Sequence, residues 1–229
     1  MPLTLVPNCI IVDVSHWQEP GTIDWKAAHE LGNVHGVIVK LMQNGEPDPA
    51  AAQHLANAYA AGVEHLGVYD FESTTDDAMA FYNQVMAEFN KSSQGVLVAL
   101  DAEKSADQPT VVDAVDWQDN IFANMRRYPT LYMGKDGPDG TGAGLTSTQL
   151  ARSDLWLPKY GPEPTAESLP PGFHLPTSDT DRGGVMRLWQ FTGDGIDAPA
   201  SWPQGVPKGC DLSYALFTSL DALSAWWGA

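Results

Sequence analysis

Two carboxylates stand one residue apart in Asp101-Ala-Glu103, directly after the apolar run 96–100. Side chains of a strand alternate between its faces, so Asp101 and Glu103 should point the same way, roughly 6.5 Å apart along the backbone. Leu97 and Ala99 precede them on that face, as in a strand that climbs out of a core and ends in a site. Paired acids on this scale are the usual equipment for hydrolysing a glycosidic bond. The pair is equally what an acidic strand end looks like in a chain with 29 acids and 12 bases. On this motif alone both readings stand.

The elements that would position such a pair alternate regularly in the first half. Residues 9–15, 34–42, 65–71 and 95–103 read as apolar strands. Between and after them, 25–31, a segment opened by Asp48-Pro49 and running to Ala61, 76–90 and about 109–127 read as helices. Four strand–helix alternations predict βαβ units and a parallel sheet. Continuously apolar strands agree with burial on both faces. The second half carries short strands at 130–134, 155–160, 185–191 and 209–213, separated by stretches rich in Gly, Pro, Ser and Asp. A weak helical signal lies at 147–152, and an apolar helix closes the chain at about 217–227, with Trp226 and Trp227 as core residues. Residues 136–144 are glycine-rich but lack a following Gly-Lys-Ser/Thr, so they read as a mobile surface loop rather than a phosphate loop.

Nearly every strand ends, on its C-terminal side, in a residue able to do chemistry or hold a sugar. These are Asp13 and Ser15, Lys40, Tyr69 and Asp70, Asp101 and Glu103, Tyr132, Lys159 and Tyr160, Gln190, and Asp211. In a closed α/β barrel all such ends meet on one face, where active sites lie. His16, between Ser15 and Trp17 at a strand end, belongs with them. Composition narrows the class further. A formal charge of −17 excludes a basic nucleic-acid footprint and docking by charge onto anionic membranes. No apolar run approaches the ~20 residues of a membrane helix. The start, 1–7, carries no basic residue and is too short for a signal peptide. No His-x-x-x-His pair or Asp-rich loop points to a metal, and no cofactor motif is present.

Eight stretches stand out together: Asp13-Val-Ser-His-Trp-Gln18, Lys40, Tyr69-Asp-Phe71, Leu100-Asp-Ala-Glu103, Leu131-Tyr-Met-Gly134, Leu155-Trp-Leu-Pro-Lys-Tyr160, Leu188-Trp-Gln-Phe-Thr192 and Asp211-Leu-Ser213. In them the chain resembles glycoside hydrolase family 25, the bacterial, phage and fungal muramidases called Chalaropsis-type lysozymes. The stretches occur in family order over about residues 9–217. The resemblance implies a single flattened TIM-like β/α barrel over 1–229, regular in its first half and with short strands and few helices in its second. It implies cleavage of the β-1,4 bond between N-acetylmuramic acid and N-acetylglucosamine by a monomer acting on peptidoglycan glycan strands at the cell wall. It also implies Glu103 as general acid, with Asp101, Asp13 and Asp211 as acidic companions. Tyr69, Asp70, Tyr132, Lys159, Tyr160, Gln190, His16 and Lys40 become substrate-binding candidates. A neighbouring negative charge would help Glu103 keep its proton.

Three places depart from the family pattern. Asp70 stands where a histidine is expected, Ser213 where an asparagine is expected, and Lys40-Leu-Met-Gln-Asn-Gly45 replaces a polar run. Asp70 would add a charge near the site. These departures support a rival reading, a non-catalytic sugar-binding module on the same barrel. A hydrolase of another amino-sugar polymer such as chitin is a second rival, although the chitinase run of spaced acids is absent. Finally, if Asp13 and Asp211 stand level on neighbouring strands, Cys9 lies four residues deeper and Cys210 only one. A three-residue offset is ~10 Å, beyond the ~7 Å limit for a disulfide, so both thiols should be free.

Overall fold

The computed structural model describes residues 9–71, 77–89, 95–103, 109–137, 147–160, 165–193 and 202–228. The first seven residues and 138–144 of the glycine-rich stretch lie outside the described residues. Eight strands close into a barrel, in the order β1 (Ile10–Val14), β2 (Val34–Gln43), β4 (His65–Phe71), β5 (Val96–Asp101), β6 (Thr130–Tyr132), β7 (Asp154–Pro158), β8 (Met186–Thr192) and β9 (Asp211–Ala215), with β9 returning to β1. A two-residue strand, β3 (Glu46–Pro47), folds back on β2 outside the ring. Six ladders, from β1–β2 round to β7–β8, are parallel.

Parallel neighbours need long crossovers, usually helical, and the first half supplies them. They are α1 (Trp25–Leu31), α2 (Ala51–Ala60), α3 (Ala78–Glu88) and α4 (Val111–Met125). Local chemistry sets their ends. Asp24 accepts from Ala27 N to cap α1. Thr110 and Asp113 form a reciprocal capping box on α4. At α2 the Asp48 carboxylate accepts from Ala50 N, and Gly62, at φ 90°, supplies the left-handed turn that follows the helix. The second half shrinks the crossovers to α5 (Ser147–Leu150) and a 3-10 turn at Ala166–Ser168.

The last strand corrects the expectation that every strand brings its C-terminal end to the site. β9 is antiparallel to both β8 and β1. It therefore descends from the face where the others finish, and it needs no crossover helix. Asp211 still reaches that face, but as the first residue of its strand, paired with Asp13.

Apolar side chains divide by parity along each strand. Val12, Val39, Val98, Leu100 and Leu131 face outward into the layer under the helices. Ile11, Ile38, Leu97, Ala99, Trp156, Leu188 and Ala215 fill the barrel interior. The bottom of that interior is closed by α6 (Leu220–Trp227), which Ser219 caps by accepting from Ala222 N. Trp226 and Trp227 are buried there, as expected. Trp227 Nε1 donates to Leu66 O at 2.7 Å, and Arg127 donates to the carbonyls of Trp226 and Trp227. Gly67 makes room for the plug: a Cβ on it would stand 3.1 Å from the Trp227 ring and from Leu97.

Both cysteines are free and buried. Because β9 runs antiparallel, the two offsets add rather than subtract. By register Cys9 lies four positions below the Asp13–Asp211 level and Cys210 one above, about 17 Å apart at strand rise. Burial pushes both thiols up to about 12, with the charges of Asp13 and Asp211 adding at Cys210. A thiol reagent should therefore leave the native protein unmodified and label both cysteines in denaturant without reductant; absence of labelling on unfolding would refute free thiols. Trp227→Ala should destabilise the fold by about 3–5 kcal/mol, read from the midpoint of urea unfolding.

Candidate active site

Parity that places Ile11, Ile38 and Leu97 inside the barrel brings polar residues to its upper rim one or two steps later. Asp13, Lys40, Tyr69, Asp101, Glu103, Tyr132, Gln190 and Asp211 line a cleft of about 590 Å³, joined from the β1–α1 loop by His16, Trp17 and Gln18. That volume lies within the range of small-molecule sites. Asp13 and Asp101 are each 8 % exposed, whereas Glu103 and Asp211 are only partly buried.

Gln190 ties the site together. Its Oε1 accepts from the Tyr132 hydroxyl at 2.7 Å and from Tyr160 at 3.5 Å. Its Nε2 donates to both Asp13 oxygens, at 3.3 and 3.5 Å, and to Asp211 Oδ2 at 3.5 Å. One amide thus spans two carboxylates and two phenols. Burial, then the charge of Asp211 and more weakly that of Glu103, raise the Asp13 carboxyl well above the ordinary range; the Gln190 bond opposes this. Tyr69 and Tyr132 are also raised, first by burial and then by the surrounding carboxylates, so both stay hydroxyl donors. Trp156 Nε1 donates to Ser213 Oγ at 2.9 Å inside the barrel. Ser213 thus orients the aromatic floor of the cleft.

A second network anchors the rim. Asp48 Oδ2 lies 2.7 Å from His16 Nδ1, accepts from His16 N, and lies 3.6 Å from Lys40 Nζ. Burial works against ionisation of Asp48, but the hydrogen bonds from His16 and Ala50 and the charge of Lys40 outweigh it, holding the carboxyl below its ordinary range. Lys40 also donates to Gln43 Oε1 at 2.9 Å and lies over the Phe71 ring. The sequence marked Asp48 only as a helix start; nothing in its spacing announces the contact with His16. Gln18 was equally silent. Its Oε1 accepts from Ser15 N and its Nε2 donates to Gly209 O, which stitches the loop after β1 to the backbone just ahead of Asp211. Trp17 stands 80 % exposed on the rim, beside the His16 ring.

Two sequence-based assignments are corrected. Asp70 does not face the cleft. It follows Tyr69 by one residue, points outward, is fully buried, and accepts from Trp117 Nε1 of α4 at 3.3 Å. Lys159 also has outward parity. Its backbone joins β7 to β8, donating to Gln190 O and accepting from Trp189 Nε1, while its side chain lines a neighbouring depression with Lys135 and Glu167. Tyr160 stands at the edge, 40 % exposed, with its hydroxyl on Gln190 and its ring packed against Gly193, where a Cβ would collide with it. Among the described residues no group of three or more His, Cys, Asp or Glu is arranged to hold a metal ion.

The sequence profile of Glycosyl hydrolases family 25 matches residues 12–198, a span that contains Asp13, Asp101 and Glu103 and ends before Asp211. No curated protein matches the chain. Several solved structures share the fold. A bacterial lysozyme from Streptomyces coelicolor is 18% identical with a TM-score of 0.67, over 96% of this chain and 97% of that one. A muramidase from Acremonium alcalophilum is 20% identical with a TM-score of 0.68, over 96% and 98%. The catalytic domain of an endolysin from bacteriophage P40 of Listeria monocytogenes is 17% identical with a TM-score of 0.66, over 96% and 97%.

The elevated Asp13 carboxyl fixes the sign of a stability change. The folded state binds this proton more tightly than the unfolded chain, so Asp13 favours folding below the ordinary value of 3.8 and costs stability as pH rises from there towards the folded value. Asp13→Asn removes that cost. The variant should melt at least about 2 °C above wild type at pH 7, with the gap closing at pH 3, as thermal unfolding at the two pH values would register.

Proposed function

The chain belongs to glycosyl hydrolases family 25, and on that premise we propose that it is a lysozyme, an N-acetylmuramidase that cleaves the β-1,4 bond between N-acetylmuramic acid and N-acetylglucosamine in peptidoglycan. The observation that carries this reading is the convergence of Asp13, Asp101, Glu103 and Asp211 on one cleft. The lysozyme, muramidase and endolysin structures that share the fold support the same substrate.

Glu103 is the general acid. It extends one step beyond Asp101 on the inward face of β5 and is more open to the cleft than Asp101 or Asp13, so it can reach the glycosidic oxygen. Proton donation there lets the leaving sugar depart while positive charge grows on the ring left behind. Asp101 and Asp211 stand where carboxylates stabilise that charge. Asp13, raised by burial and by its neighbours, limits how many negative charges the cluster holds at once and is kept in place by Gln190. Tyr69, Tyr132 and Tyr160 present hydroxyls to the sugar, and Trp17 offers an exposed ring at the rim for stacking. His16 and Lys40 serve as wall residues fixed by Asp48. The protein works as a monomer on glycan strands at the cell wall. None of its described helices is long and apolar enough to cross a membrane.

Two of the three departures that favoured a sugar-binding module lose their force. Asp70 is shielded beneath α4 and Ser213 holds Trp156, so neither intrudes on the acids.

Digestion of purified peptidoglycan, read by mass spectrometry of new reducing ends, tests the proposal. Wild type should release N-acetylmuramic acid ends, and Glu103→Gln should lower kcat by about 10²–10⁴-fold with little change in KM. Chito-oligosaccharide products, or equal activity in the variant, would overturn the assignment.

A further inference from the structure

The chain has five arginines in an excess of acid, and all five gather at the end of the barrel opposite the cleft. Arg126, Arg127, Arg152 and Arg182 line a cavity of about 230 Å³ together with Asp154 and Trp226. Asp154 opens β7, and Trp226 belongs to the plug beneath the barrel. The cavity is therefore at the N-terminal ends of the strands. Arg187 is buried nearby, donating to the carbonyls of Ser178, Asp181 and Leu216.

Few carboxylates answer these charges. Arg152 pairs with Asp119 at 2.9 Å. Among the described residues no carboxylate lies within 4 Å of the Arg126, Arg127 or Arg182 guanidinium. Asp154 engages neutral donors instead, accepting from Gly183 N and Trp226 Nε1, both at 2.8 Å. Among the described residues Arg127 and Arg182 donate only to backbone carbonyls. Arg126 takes a left-handed backbone, φ 58°, at the end of α4, which lets two consecutive arginines border one cavity. Burial brings the Arg127 guanidinium down to about 10, with Asp154 opposing and Arg182 adding to the shift, and it stays charged at neutral pH.

We propose that this cavity binds a phosphate group, free or esterified. Guanidinium forks match the oxygens of a tetrahedral anion and bind it through paired N–H donors. Three guanidinium charges with no carboxylate within 4 Å among the described residues, set against Asp154 as the one carboxylate lining the cavity, leave a surplus of about two. That matches the charge of a phosphate monoester near neutral pH, about −1.5 to −2. The volume is below that of a drug-sized pocket, so it suits one phosphate and its immediate substituent rather than a whole nucleotide or sugar chain. In a protein of net charge −17 this cluster is where an anion meets favourable potential rather than repulsion.

Isothermal titration calorimetry of the whole protein in low-salt, phosphate-free buffer tests the site, with inorganic phosphate and with a poly(glycerol phosphate) oligomer as separate probes. Wild type should bind inorganic phosphate saturably at one site, and Arg126→Ala/Arg182→Ala should weaken binding at least tenfold. Both side chains are exposed, and thermal unfolding without ligand checks that the variant folds. The milder Arg126→Gln should show an intermediate loss. Binding of inorganic phosphate alone assigns the site to the free ion or a small ester, and binding of the oligomer as well assigns it to a phosphate polymer. No saturable heat with either probe, or unchanged binding in the double variant, would overturn the proposal.

Discussion

Closure of the barrel through β1 is the constraint on which the rest depends. This strand is hydrogen-bonded on both edges, to β2 in parallel and to β9 in antiparallel register, with Asp13 level with Ile38 on one side and Asp211 on the other. Once that ring is shut, the period of two along each strand decides which side chains share the interior. Apolar positions fill the lower levels, and above them the inward positions carry carboxylates, phenols, the Gln190 amide and the Lys40 ammonium. A one-residue slip in β1 would turn Asp13 into the helix layer and remove a member of the acid cluster. Core packing and site assembly are therefore one problem, solved by the same register.

The assembly works against an electrostatic cost. Four carboxylates meet in a protein that is already strongly negative. Burial raises the Asp13 carboxyl first, and the charge of Asp211 adds to the rise, as that tension requires. Stability must come from elsewhere, and it comes from the two apolar clusters and the tryptophans of α6. Gln190 moderates the tension locally by giving Asp13 and Asp211 a common neutral donor. Below them the interior is filled by apolar side chains, so the cluster rests on a packed floor that includes Trp156 and Ser213.

Much of this was legible in the chain. Four strand–helix repeats announced a parallel sheet with helical crossovers, the family resemblance implied its closure into a barrel, and the strand ends announced the face that carries the acids. The same alternation that put Asp101 and Glu103 together also separates Tyr69 from Asp70 and Lys159 from Tyr160, and applied to every strand it would have excluded Asp70 and Lys159 from the cleft. Two features had no local signal. The direction of β9 depends on a long connection with little periodic pattern, so Asp211 looked like one more strand end. Asp48 and Gln18 act through partners far along the chain, 32 and 191 positions away, and their immediate neighbours suggest only a helix start and a loop.

The reversed direction of β9 bears on when the acid cluster comes into being during synthesis. Asp13 and Gln190 are 177 positions apart along the chain, and the ladder partner of Asp13 is Asp211. A nascent chain that has Asp101 and Glu103 therefore lacks both Asp211 and the amide that steadies Asp13 until β9 has left the ribosome and turned back beside β1. The four carboxylates are brought together by the same event that seals the barrel, so this cluster first exists in the closed fold and in no shorter intermediate.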